Sequence, residues 1–306
     1  MDEPYTRELA PGVFAYVQPD GSWFLNNTGI IVAPEVEGGV VMVDHVATER
    51  RGRALMGTVE RLGAGRALTT LINTHHHGDH TFGNYLVPAG TSVVGHELCR
   101  AEVIATGTSV TTLFEGPDWG DIRLRPPEIT FREQLTVWAG TLRLELVHFG
   151  GPAHTTNDVV VHVPDHGVVF CGDLVFAGGT PLAVQGSIRG WLTALDRLAE
   201  LGARTLVPGH GPVCGPEEIS QVRGYLEFVR DTAAAGWRRG QSPLELAENT
   251  DLGQFGGLTD PERIVANLHR AYAELDDPHN LGKTLDLAPA MLDMRRYLGG
   301  PLVSYA

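Results

Sequence analysis

The chain has 306 residues, 23 of them basic and 37 acidic, for a formal net charge of −14 at pH 7. That length suffices for a large core in one α/β domain, and so acidic a balance argues against a phosphate-binding nucleic-acid surface. Three separated cysteines, Cys99, Cys171 and Cys214, form neither a disulfide framework nor a C-x-x-C knuckle, and 38 glycines fit many tight strand-to-loop junctions.

Residues 1–8 are acidic and lack an apolar run, so no secretory signal is expected. No later segment is long and apolar enough for a bilayer, which makes a reducing cytoplasm the simplest setting. Strands are predicted at 13–17, 23–32 and 40–43, with turn signals at 19–21 and 38–39. Asp44 then either supports a metal-binding histidine or caps the next helix. His45 beside it fits a packed histidine better than a ligand. A helix over 48–62, closed by Gly63-Ala64-Gly65, returns the chain to a buried strand at 67–73.

Where that strand should stop comes Thr74-His75-His76-His77-Gly78-Asp79-His80, and in open α/β sheets ligands collect beyond the carboxyl ends of strands. His75 and His77, two apart in extended backbone, face one way and can grip one ion through neutral imidazole nitrogens. Asp79 and His80, past a turn that Gly78 allows, are placed for a second ion. His76 points elsewhere. A histidine-rich tag would have no strand leading into it. Residues 81–84 start a covering helix, 92–95 form a strand, and 96–105 a helix in which His96 is read as a surface cap. Residues 111–127 are irregular and aromatic, a lid or pocket wall, or an ordinary crossover.

A hairpin of 134–138 with 141–148 opens a second half that repeats the sheet-then-helix order. Two ions need more ligands than one loop provides, and three further places offer them. Gly150-Gly151-Pro152-Ala153 leads to His154, an apolar strand at 168–172 ends at Asp173, and another at 205–209 ends at His210. Residues 174–188 leave the site mostly apolar, without lysine or arginine before Arg189. They suit either a pocket wall for an uncharged, partly aromatic acyl chain or plain core packing; a penicillin carboxylate would find no cation there. Helices follow at 216–239, 243–249, 260–275 and 285–297. The stripe Ile264, Leu268, Tyr272, Leu275 serves core packing or a homodimer contact.

The ordered set His75-x-His77-x-Asp79-His80, His154, Asp173 and His210 resembles the metallo-β-lactamase superfamily. The resemblance implies an α/β fold, the αββα sandwich, as one domain over 1–306, with a metal-binding core over about 1–215 and a C-terminal helical extension over about 216–306. Within that superfamily the chain resembles the second-ring cyclase and thioesterase of actinorhodin-type aromatic polyketide biosynthesis, through residues 10–16, 119–127, 150–161, 186–201 and 265–271. Carried over residue by residue, His75, His77 and His154 hold one metal ion, Asp79, His80 and His210 the other, and Asp173 bridges them, with Asp79 and Asp173 also catalytic. Nitrogen and carboxylate donors fit two zinc ions, although manganese and iron occupy similar sites.

Paired cations activate a water toward an acyl carbonyl. The implied substrate is a polyketide held by thioester on an acyl carrier protein, its second ring closed and its thioester hydrolysed; the residues themselves argue clearly only for hydrolysis. An acidic carrier would need a basic patch, Arg50-Arg51-Arg53, Arg123 with Arg125, or Arg238-Arg239, each otherwise a solvated face. A lactonase or glutathione-type thioester hydrolase of small acyl substrates is the rival enzyme, and a silent metal-binding member the rival from another class. Neither nucleic acid nor membrane is an expected partner.

Overall fold

The structure, a computed structural model, describes residues 3–35 and 38–306; the N-terminal expectation at Met1 and Asp2 lies outside them. In chain order come β1 (Tyr5–Ala10), β2 (Val13–Val17), β3 (Thr28–Val32), β4 (Val40–Val43), α1 (Glu49–Gly63), β5 (Leu68–Ile72), α2 (Gly78–Thr81), β6 (Ser92–His96), α3 (Glu97–Thr106), β7 (Phe114–Glu115) and β8 (Ile129–Phe131). The second half adds β9 (Gln134–Ala139), β10 (Leu142–His148), β11 (Val159–Val163), β12 (Val168–Phe176), α4 (Ile188–Glu200) and β13 (Thr205–His210). Then follow α5 (Glu217–Arg238), α6 (Pro243–Glu248), α7 (Arg263–Asp276), α8 (Leu287–Leu298) and β14 (Leu302–Val303).

The strands form a seven-stranded sheet, β1-β2-β3-β4-β5-β6-β8, a five-stranded sheet, β13-β12-β11-β10-β9, and a small β14-β7 pair. Each large sheet starts antiparallel and finishes parallel: β4 to β5 and β12 to β13 are parallel steps. A parallel partner can be reached only through a crossover, and the crossovers are helices, α1 and α4. This is the physical content of the repeated sheet-then-helix order.

Between the sheets the inward side chains alternate along the strands, Leu142, Leu144 and Leu146 from β10 meeting Val41, Val43 and Ile72 from the first sheet. Helix α1 covers the outer face of the first sheet through Leu55 and Val59. Helices α4, α5 and α7 cover the second through Trp191, Leu226 and Leu268. The mixed α/β sandwich with helices on both faces is thus the observed architecture.

Several boundaries differ from the sequence reading. The strand expected over 23–32 shrinks to β3, because Phe24 adopts φ 64° and Asn27 is tied to the end of β13 by its side-chain amide on the carbonyls of Pro208, 2.9 Å, and Gly211, 2.7 Å. Strand β12 runs on to Phe176, so Asp173 lies inside it, at an irregularity where Gly172 takes φ 50°. Gly78 needs no left-handed turn; it opens α2, and a Cβ there would lie 2.5 Å from the Phe82 ring. On α7 the expected stripe is half right. Ile264 and Leu268 are buried and Leu275 is exposed, while a polar face, Arg263, Asn267, Arg270 and Glu274, is buried as well. Among the described residues no helix is long and apolar enough to cross a membrane.

Candidate metal centre

Beyond Ile72 the chain is pinned before it reaches the histidines: Asn73 N–H donates to the Val94 carbonyl at 2.8 Å and Thr74 N–H to Asp44 Oδ1 at 2.7 Å. The bend that follows brings the rings of His75 and His80 to 4.2 Å, tilted by 48°, and sets those of His75 and His77 4.7 Å apart. Two clusters result. His75, His77, His154 and Asp173 bring ligand atoms within 4.8 Å of one another, and so do Asp79, His80 and His210.

Asp173 lies between them. Its Oδ2 is 3.3 Å from His154 Nε2 and 3.4 Å from His210 Nε2, and its Oδ1 is 3.2 Å from His80 Nε2. A glycine is required opposite, since a Cβ on Gly209 would fall 1.8 Å from Asp173 Oδ1.

Three orphaned atoms test whether a cation fits. Among the described residues His75 Nε2, His80 Nε2 and Asp173 Oδ1 are buried without a well-formed hydrogen bond, the last two only facing each other at 3.2 Å, a state native interiors seldom tolerate. A cation in each cluster, with Asp173 between them, would satisfy all three. The opposite ring nitrogens are occupied, as metal-binding imidazoles require. His80 Nδ1 donates to Asp44 at 2.8 Å, His210 Nδ1 to the Gly21 carbonyl at 3.0 Å, and His154 Nδ1 to the Leu182 carbonyl at 2.5 Å. His77 is turned the other way, its Nε2 donating to Gln185 Oε1 at 2.7 Å while Nδ1 faces the cluster.

Electrostatics agree with that partition. Burial holds His75, His77 and His154 below the usual imidazole range, His154 at about 3, so their nitrogens stay neutral and free to bind metal. For Asp79 burial works upward, but His80 and His210 outweigh it and bring the carboxyl to about 2. Burial likewise opposes charge on His80 and His210, yet Asp44 and Asp173 raise His80, and Asp173 with Asp79 raises His210 to about 9. Clustered carboxylates that draw positive charge into a buried place suit a divalent ion.

A sequence profile of the metallo-beta-lactamase superfamily matches residues 21–210, a span that contains every side chain of both clusters. The chain belongs to the metallo-beta-lactamase superfamily. The relatives differ in the chemistry their names carry. A hydroxyacylglutathione hydrolase from Gloeobacter violaceus is 24% identical over 241 residues, covering 73% of this chain and 87% of the relative. Another, from a Synechococcus species, is 32% identical over 223 residues, covering 67% and 80%. A linear primary-alkylsulfatase from a Pseudomonas species is 24% identical over 268 residues, and the chain spans only 49% of its length. Among solved structures, a metallo-beta-lactamase from Pontibacter korlensis superposes with a TM-score of 0.61 at 22% identity, over 74% of this chain and 99% of that one. None of these four carries a polyketide name.

As in any binding cleft, specificity rests with the walls. The cavity over the clusters encloses about 900 Å³, open solvent at its mouth included. Trp23, Phe24, Phe82, Phe114, Phe176, Leu182, Val184, Leu287 and Met291 line it, with His76, His77, Asp79, His154, Asp173 and His210 at its floor. Of the irregular 111–127 stretch, Leu113 and Phe114 form wall, whereas Trp119 packs behind Phe24 at 4.9 Å.

The open choices of the sequence reading now resolve. Asp44 supports His80, and the cap of α1 is Thr48. His45 is packed and wholly buried. His76 faces Asn157 and Gln185 rather than either cluster. His96 caps α3, accepting from Leu98 N–H at 3.3 Å, and is buried, not at the surface. Two site residues were missed. Gln185 sits in a stretch read only for its apolar character, and Arg263 enters the same cavity from α7, its guanidinium 4.0 Å from the Trp23 ring centroid.

Proposed function

We propose that the chain hydrolyses acyl thioesters whose acyl part is apolar, using two zinc ions, one held by His75, His77 and His154, the other by Asp79, His80 and His210, with Asp173 shared. The observation that carries this reading is the convergence of aromatic and aliphatic walls on both clusters. The hydroxyacylglutathione hydrolase relatives support the thioester class. Divalent ions held there supply Lewis acidity and a lowered water pKa.

The chain's own groups do the rest. Trp23, Phe114, Leu182 and Val184 enclose the acyl group and exclude water from it. Asp79, kept ionised beside His80 and His210, has an oxygen at the cavity floor to orient the attacking water. Purified, zinc-loaded protein should turn over S-aroylglutathione or the matching pantetheine thioester well above simple lactones. Lactone turnover far exceeding that of thioesters overturns the proposal.

The second reading is the carrier-bound polyketide, and the charge of the cavity favours it. Among the described residues Arg263 is the one lysine or arginine lining the cavity, and Asp260 already pairs with it at 2.8 Å. Glutathione's carboxylates gain little from a neutralised cation, whereas a neutral polyketone loses nothing. Chromatography and mass spectrometry of products made by a minimal polyketide synthase, with and without this chain, separate the two.

A further inference from the structure

The segment between β12 and α4 touches the first metal cluster on one side and α7 on the other. Toward the cluster, the Leu182 carbonyl accepts from His154 Nδ1 at 2.5 Å and Gln185 Oε1 accepts from His77 Nε2 at 2.7 Å. Two of the cluster's four side chains therefore take their aim from this strap.

Toward α7, the strap's backbone is held by buried polar side chains. Asn267 Nδ2 donates to the Pro181 carbonyl at 2.8 Å while its Oδ1 accepts from Ala183 N–H at 2.7 Å. Arg270 donates to the Val184 carbonyl from Nε at 3.1 Å and from Nη2 at 2.6 Å. Arg263 donates to the Thr180 carbonyl at 2.9 Å at one end, and Glu274 accepts from Ile188 N–H at 2.7 Å at the other. Steps of four, three and four residues put these side chains on one helix face. Arg270 is 1% exposed, and among the described residues its Nη1 has no hydrogen-bond partner. A helix face meant only for packing would be more stable with apolar residues there.

We propose that Asn267 and Arg270 are positioning residues for the metal centre: α7 fixes the strap, and the strap fixes which nitrogen of His154 and of His77 carries the proton, leaving the other aimed at the ion. The inference rests on reading the clusters as a metal site. Outer partners of metal-binding histidines are typically worth ~10–100-fold in metal affinity.

The test follows Co²⁺ affinity by chelator competition and the visible absorption of the Co²⁺-substituted protein. Arg270→Met should weaken the cation bound at the first cluster by ~10–100-fold and shift the absorption bands. Arg270→Lys, still able to donate to the Val184 carbonyl, should recover most of both. Val229→Ala, a buried truncation on α5 that removes no polar contact to the strap, should lower the melting temperature and leave both unchanged. A folded Arg270→Met protein with wild-type affinity and spectrum overturns the proposal, as does an equal change in Val229→Ala. Should Arg270→Met not fold, Asn267→Ala and Gln185→Leu carry the same readouts, and wild-type values in both overturn it. Wild-type protein that takes up no Co²⁺ overturns the metal reading and this one together; intact wild-type uptake with unaffected variants overturns this one alone.

Discussion

Asp44 orients His80 directly and His75 at one remove. Its Oδ2 accepts from His80 Nδ1 at 2.8 Å and from Thr74 Oγ1 at 2.7 Å, and Thr74 Oγ1 in turn accepts from His75 Nδ1 at 3.1 Å. One carboxylate at the end of β4 thereby sets a ring in each cluster. Asp44→Ala should weaken zinc binding by ~10–100-fold at both clusters, measured by chelator competition. Weakening confined to one cluster would break the relay through Thr74.

Asp173 should be the least replaceable side chain. Among the described residues it is the one carboxylate whose oxygens approach His154, His210 and His80 together. In Asp173→Ala, metal content by elemental analysis and thioester hydrolysis should fall together, the latter by more than the ~100-fold upper range of an outer-partner loss. Full activity in that variant would refute its place between the clusters.

His45 makes acid stability testable. Burial pushes its pKa down to about 4, whereas an unfolded histidine titrates near ~6.5. The unfolded chain therefore takes the proton first. The contribution is complete above ~pH 6.5 and is lost as pH falls toward 4, ~3 kcal/mol in all. In metal-free protein, the drop in unfolding free energy between pH 7 and pH 4 should be smaller by about that amount in His45→Asn, read by urea titration at both values.

The cavity wall can be charged without unsettling the fold. Leu287 is half-buried at the first position of α8, where an added acid is favourable to the helix. Leu287→Glu should raise KM for an apolar acyl thioester by ~10–100-fold, the loss of one leucine-sized contact, with kcat little altered because the contact serves substrate and transition state alike. A fall in kcat at constant KM would place the acyl group elsewhere.

Much of the fold was legible because its signals are local. Alternation along β10, the glycines closing α1 and the short apolar run of β5 each arise within a few residues, and so does the His75–His80 motif. What escaped depends on distant partners. β12 could not be seen to continue past Asp173, since the bulge at Gly172 is set by pairing with β13. Burial of the polar face of α7 carries no local signal, because arginine, asparagine and glutamate are usually solvated; only the strap's backbone, which those side chains pair, makes their burial favourable. Gln185 carried no motif at all. Its role follows from His77 presenting Nδ1 rather than Nε2 to the cluster, a geometry that sequence spacing leaves open.

The clusters draw their side chains from both sheets: the loop after β5 supplies His75 through His80, and the opposing half supplies His154, Asp173 and His210. An ion seated there works as a rivet through two plates, gripping only when they meet in the right alignment. Saturating zinc should consequently resist the parting of the halves by RT ln(1 + [L]/Kd), and a chain caught half-assembled would hold no more than a fraction of the grip.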